Sequence, residues 1–260
     1  MSPTDSLSRR DFLSGLGIAG LAASGKRPKT HIITLSFDDG FRKSSIETAR
    51  IFEKHGLSAC INVIATAHHD DFILPNDYHR HPVGDFGLWN ELLARGHEIM
   101  PHGYSHSNLA KLPLESAKDL ILRCLDYFST ALNGFDPSQA VFNFPYNAST
   151  PAIERWLTNE VLAFRTGFAQ VNPLPHVGQK KLICSSHGPG NIDAFLTQEI
   201  DRFVASAGGW LIFNAHGLDG EGWGPLSSAC LDNLLARLTS IETIEAVSYT
   251  HLTLPTKRIV

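Results

Sequence analysis

The sequence has no long apolar run. Its most hydrophobic stretch, within residues 12–23, is about 11 residues long, well short of the roughly 20 that a membrane-crossing helix needs, so no stable membrane span is expected. It has no basic excess either. Lys and Arg number 22 against 26 Asp and Glu, for a formal net charge of −4. Residues 1–30 hold five basic residues against two acidic ones, so the rest of the chain is more acidic still. Nothing offers the basic face that a phosphate backbone requires, and nucleic acid is excluded as a partner. Cysteines are few: Cys60, Cys124, Cys184 and Cys230 lie far apart, with no Cys-x-x-Cys pair. That spacing speaks against a disulfide framework or a thiolate zinc site and leaves buried free thiols. Low-complexity tracts and internal repeats are absent too, and no linker argues for a second domain. With 43% hydrophobic and 18% charged residues over 260 positions, one large globular domain is expected. Oligomeric state is not legible.

What is present is histidine, 13 in all, and one stretch that organises the rest: Thr34-Leu35-Ser36-Phe37-Asp38-Asp39-Gly40. Ile32, Ile33, Leu35 and Phe37 read as a buried strand, and two carboxylates fall where it stops. Adjacent side chains on an extended chain point to opposite sides, so Asp38 and Asp39 take different roles. Alone, Asp-Asp-Gly is an ordinary exposed turn. Pro101-His102-Gly103-Tyr104-Ser105-His106 changes that, because it adds two imidazoles four residues apart. One carboxylate with two histidines is a metal set that leaves coordination positions open for hydrolysis.

Strands at residues 32–37, 59–64, 97–102, 140–146, 161–164, 181–185 and 210–215 alternate with helices at 114–132, 192–204 and 226–238, a short one at 88–95, one that carries Ile46, Ala49 and Phe52 and ends near Gly56, and one that starts at Thr150-Pro151. This alternation predicts a parallel α/β arrangement, and the length suits a closed barrel. Asp38-Asp39, His102, Tyr146, Arg165 and His216 then each end a strand, where barrel chemistry gathers. His68-His69-Asp70-Asp71 lies in a polar stretch and reads as a solvated loop. Ser8-Arg9-Arg10-Asp11-Phe12-Leu13 and the short apolar run after it resemble a bacterial twin-arginine export signal, which implies a periplasmic or extracellular destination. Residues 1–30 are accordingly set apart as signal and linker, 31–247 as the folded domain, and 248–260 as a tail that resembles a translated sequencing adapter.

The ordered motifs SFDDG, GHEIMPHGYSH, FPY and LIFNAH resemble those of the polysaccharide deacetylases, carbohydrate esterases of family four built on the NodB homology domain. The resemblance spans about residues 31–247 and implies a distorted (β/α) barrel of about seven parallel strands. It implies an enzyme that removes N- or O-linked acetyl groups from a carbohydrate with a divalent metal, Zn²⁺ foremost, with Co²⁺, Mn²⁺ or Fe²⁺ also compatible. Asp39, His102 and His106 would bind that metal. Asp38 would be the base that deprotonates a metal-bound water, and His216 the acid that protonates the leaving amine. Pro145 and Tyr146 would border the substrate, with the Tyr146 N–H as oxyanion donor. Trp223, in the loop after His216, would stack on a sugar ring or close the barrel end.

Two positions depart from the family pattern. Asn143 stands where an arginine usually orients the catalytic Asp, and Asn214 where a leucine usually lines the acetyl pocket, which would make that pocket more polar. Arg165, the next strand-end cation, is expected to replace the arginine, with its guanidinium within about 4 Å of Asp38; otherwise it is a surface or helix-pairing residue. Two rival readings remain on the same fold: a hydrolase of small ureides or cyclic imides, favoured by a deep pocket with charged clamps, and a carbohydrate-binding protein without turnover.

Overall fold

The computed structural model describes residues 28–72, 80–167 and 170–249. The twin-arginine-like stretch and residues 250–260 lie outside them, so the export reading has no structural counterpart. No helix among the described residues is long and apolar enough to cross a membrane.

Strand β1 (His31–Phe37) is buried along its whole length because both of its faces are covered. Full-length parallel pairing to β7 (Gly209–Ala215) covers one edge. The other edge is shared by β8 (Ile244–Ala246) at the start of β1 and β2 (Cys60–Val63) at its end, and β3 (Glu98–Pro101) follows β2. A second parallel sheet holds β4 (Val141–Asn143), β5 (Ala163–Gly167) and β6 (Lys181–Cys184). Ser185 stitches β6 to β7: its N–H donates to Ile212 O at 3.0 Å, and Asn214 N–H donates to its carbonyl at 2.8 Å. Lower on that seam Asn172 stands in for a missing strand. Its backbone exchanges hydrogen bonds with Trp210, and its side-chain amide pairs with both the N–H and the carbonyl of Ile183. Between β3 and β4 the ring is spanned by side chain-to-backbone contacts, Val141 N–H to Met100 Sδ and Asn143 Nδ2 to Pro101 O. The result is the expected distorted (β/α) barrel, open at one seam, with β8 as a short extra strand.

Among the described residues six α-helices wrap it: α1 (Arg42–Lys54), α2 (Phe86–Ala94), α3 (Leu114–Ala131), α4 (Pro151–Leu157), α5 (Asp193–Val204) and α6 (Ser228–Thr239). Their starts carry the expected chemistry. Asp85, Thr150 and Ser227 accept from the N–H groups of Leu88, Ile153 and Cys230, and Pro151 occupies the first turn of α4. The buried stripe of α1 is Ser45, Thr48, Ala49 and Phe52, so Ile46 faces outward. Strand β5 begins and ends later than sequence periodicity indicates, which places Arg165 inside it. The alternation rule reads a charge as a strand end; here it points into the barrel.

The strand period of two splits the core in two. Ile33, Leu35, Phe37, Ile61, Val63, Leu211 and Phe213 face the helices. Ile32, Cys60, Val141, Ala163, Leu182, Cys184, Trp210 and Ile212 form an inner core with Tyr249. Climbing the inner face, polarity rises in steps. Register places Ile32 beside Trp210, Thr34 beside Ile212, and Ser36 beside both Cys60 and Asn214. Trp210 Nε1 donates to Thr34 Oγ1 at 2.9 Å, which marks where the apolar plug gives way to a hydrogen-bonded one. Two residues beyond Ser36 on that face comes the charge of Asp38, and β5 brings Arg165 to it. Chemistry is thereby confined to the C-terminal mouth.

Candidate active site

Asp38 ends the inner face of β1, and Asp39 turns over the mouth with φ of +72°, followed by Gly40 at +73°. Gly40 has no room for a Cβ, which would meet the Trp89 ring at 3.0 Å. His106 and Tyr146 also sit at positive φ, +53° and +59°. Non-glycine residues adopt this region at a cost of about 1–3 kcal/mol each, and such strain clusters at functional sites. Three of these residues meet at one mouth.

Asp39, His102 and His106 bring one ligand atom each within 4.8 Å of one another, and all three are buried. Asp39 Oδ1 lies 3.5 Å from His102 Nε2 and 3.3 Å from His106 Nε2. His102 donates its Nδ1–H to the Asn143 carbonyl at 3.0 Å. That bond fixes the tautomer and leaves Nε2 as a lone-pair donor, the outer-shell arrangement of a ligating imidazole. A hard oxygen with two imidazole nitrogens fits a divalent ion of the zinc type.

Asp38 borders that cluster, with Oδ2 3.6 Å from His102 Nε2, but its hydrogen bonds go to other partners. Arg165 grips it with both arms, Nη1 to Oδ1 at 2.9 Å and Nη2 to Oδ2 at 2.6 Å, and Nη1 also reaches Ser36 Oγ at 2.8 Å. Burial pushes the Asp38 carboxyl up, but the Arg165 charge, then His102, the Arg165 hydrogen bonds and His216, more than offset it and hold the group at about 2. The guanidinium is fully buried, so it acts through the carboxylate and has no surface to offer a substrate. Asn143 and Arg165 are register neighbours on β4 and β5, so the cation has moved by one strand. Asn143 itself is turned aside. It donates to Asn62 Oδ1 at 2.9 Å and Val141 O at 2.9 Å, and accepts from Tyr249 Oη at 3.1 Å. Asn214, expected to make the acetyl pocket polar, is buried and donates to Asp38 Oδ2 at 2.7 Å.

His216 follows β7, and Phe37 pairs with Ala215, so continuing the register sets it beside Asp38. Burial pushes its imidazole below the ordinary value, against the pull of Asp39 and Asp38. Trp223 stands edge-on to it, with ring centroids 5.4 Å apart. The Trp223 loop is pinned by Glu221, whose carboxylate accepts from Ser44 N at 2.9 Å at the amino end of α1, where a helix favours negative charge. Pro145 is buried against Gly103, whose added Cβ would meet it at 2.9 Å. Its part is to seat the turn carrying Tyr146, which is 48% exposed and lies 4.7 Å from the His106 ring.

Asn62 escaped sequence reasoning. It lies in a strand of small apolar residues, two positions after Cys60, and donates to Asp38 Oδ1 at 2.7 Å. An amide on the inward parity of an apolar strand was the signal. Asn147 is the other such residue, donating to Asn214 Oδ1 at 2.9 Å. His68 and His69 both meet Tyr127 Oη, at 3.2 and 2.9 Å, and join no metal-ligand cluster among the described residues. The four cysteines are free thiols.

A family model described as "Polysaccharide deacetylase" matches residues 25–160, just over half of the chain. No curated protein matches it. Among solved structures, a Mycobacterium smegmatis protein provisionally described as a polysaccharide deacetylase is similar over 88% of this chain and 91% of that one, at 16% identity and a TM-score of 0.66. The peptidoglycan deacetylase PdaC from Bacillus subtilis is similar over 87% and 91%, at 16% identity and 0.54. A family 4 carbohydrate esterase from Streptomyces lividans, solved with acetate, is similar over 86% and 95%, at 15% identity and 0.56. At these identities the likeness speaks to the fold.

Proposed function

Because the chain belongs to the polysaccharide deacetylase family, we propose that it is a metal-dependent hydrolase that removes acetyl groups from an acetylated carbohydrate. The observation that carries this reading is the buried Asp39–His102–His106 cluster beside a second, separately held carboxylate. Zinc or a similar divalent ion held there would polarise an acetyl carbonyl and acidify a water. Asp38 and His216 stand at neighbouring strand ends as the two proton-handling groups, one an anion and the other an imidazole kept mainly neutral by burial. The Tyr146 N–H, on a turn at positive φ beside His106, would donate to the oxygen where charge develops.

The rim favours a sugar over a small ureide. Tyr146 is half exposed and Trp223 partly so, and Arg165 is consumed by Asp38. Aromatic rings bordering an open mouth suit the apolar face of a pyranose, whereas a ureide would need a free charged clamp. The export reading of the N-terminus is kept as part of this proposal, since a cell-wall or extracellular glycan would be met there. Acetate release from N-acetylglucosamine oligomers, peptidoglycan and acetylated xylan, run beside ammonia or amine release from allantoin, tests the class. Acetate from at least one glycan and no turnover of allantoin is expected. Turnover of allantoin with no acetate from any glycan would replace this reading with the ureide one.

A further inference from the structure

A groove of about 440 Å³ runs along the outside of α3, and its lining includes Tyr104, Arg123, Asp126, Tyr127 and Thr130. Tyr104 ties it to the barrel mouth. This residue sits in the turn between His102 and His106, and its carbonyl accepts from Thr66 Oγ1 at 2.7 Å and Thr66 N–H at 3.1 Å, just past the end of β2. The other four share one face of the helix, at the spacing of successive turns. The apolar face of α3, with Ile121, Cys124 and Phe128, packs on the barrel, so this second face is left open.

The walls of the groove are held before any ligand arrives. Tyr127 Oη bonds to His69 Nε2 at 2.9 Å and to His68 Nε2 at 3.2 Å, which ties α3 to the loop after β2. The Tyr127 ring also packs on Phe86, with centroids 5.3 Å apart. The Arg123 guanidinium lies 4.2 Å from the centroid of the Tyr104 ring. That contact uses the π face of the guanidinium and leaves its N–H edges able to donate. Its ion pair with Asp119, at 3.8 Å and half exposed on both sides, competes weakly. Asp126 follows one turn on and sets an acceptor beside that donor.

The two charges offset each other, so the groove as a whole does not favour a charged ligand. Sugar hydroxyls both donate and accept, and they match a guanidinium beside a carboxylate; the C–H face of a pyranose matches a tyrosine ring. Walls already fixed spare a ligand the cost of ordering them. Resting on the deacetylase reading, we infer that this groove is a second sugar site, which seats an uncharged unit of the same glycan chain away from the unit that loses its acetyl group. The protein then acts on chains rather than on single sugars, and holds them across the mouth and α3.

Two substrates of the zinc-loaded protein test this: the N-acetylglucosamine hexamer, and 4-nitrophenyl acetate, which has no sugar to seat on α3. The variant is Arg123→Ala/Asp126→Ala, in which both replaced side chains are exposed. Its KM for the hexamer should rise by roughly 10–100-fold, as for lost hydrogen bonds to charged groups. Its kcat should stay within a few-fold, the mark of binding shared by ground and transition states. The parent's KM should change little with added salt, because the ligand is uncharged. An unchanged hexamer KM in the variant would overturn the inference. An equal loss on the aryl ester would do so as well, by making the two residues structural. A parent KM that climbs steeply with salt would mark an anionic ligand and overturn it too. Calorimetric titration of chelator-stripped protein with the hexamer reads the groove without turnover. Binding by the stripped parent but not by the variant, with no acetate released by the zinc-loaded parent, would bring down the deacetylase reading and leave the sugar site standing. No binding by the stripped parent would overturn the sugar site itself.

Discussion

Arg165→Ala is expected to destabilise the protein by about 3–5 kcal/mol, the cost of stranding one charge of a buried ion pair. Asp38 would be left in the barrel with two amides and no cation, against a total stability of roughly 5–15 kcal/mol. The pair can be removed whole at far less cost, so Asp38→Asn/Arg165→Met should recover most of that loss in urea denaturation while remaining inactive. The pH dependence carries a sign. In the parent, the Asp38 carboxyl is held at about 2, against about 3.9 in an unfolded chain. Its contribution is therefore fully present above about pH 4 and fades as the pH falls toward 2. Without Arg165, burial acts unopposed by its main partner and the carboxyl rises, so the proton that the parent releases on folding between about pH 2 and 4 should no longer be released by the variant. A loss under about 1 kcal/mol in Arg165→Ala, with unchanged acid sensitivity, would mean the contact does little.

His102→Ala and His106→Ala should each cost more in zinc affinity than the roughly 10–100-fold typical of outer-shell changes, because each removes one of three donors. Asp39→Asn should do the same, whereas Asp38→Asn should leave zinc bound, since its oxygens are spent elsewhere. Elemental analysis after gel filtration checks this directly. Full occupancy in the two histidine variants would remove the metal centre from the account.

Much of the barrel is legible in the chain because its outward faces are apolar at period two, and β1 and β7 read cleanly for that reason. The inward faces are harder. They run from Ile32 through Thr34 and Ser36 to Asp38, and periodicity alone treats such polar steps as surface. Strand β5 was cut short for the same reason: Arg165 looks like an exit when it is the middle of a strand. Strand β8 is three residues long, too short to carry a period. Spacing pointed to the His102–His106 pair with one aspartate, and the family resemblance chose Asp39; the structure gathers these three within 4.8 Å of one another. What spacing could not give is who holds whom. Asn62, Asn143 and Asn214 come together from three strands, and only register decides that Asn143 turns toward Asn62 while Asn62 and Asn214 turn to Asp38.

The central claim is that a metal at Asp39, His102 and His106 drives acetyl hydrolysis. The most direct measurement is acetate released from N-acetylglucosamine oligomers by protein stripped with a chelator, dialysed, and titrated with zinc. Activity should be absent in the stripped protein and rise linearly to a plateau at one zinc per chain, with no such rise in His106→Ala. Acetate release by the stripped protein at the level of the untreated one, unaffected by added zinc, would contradict the account.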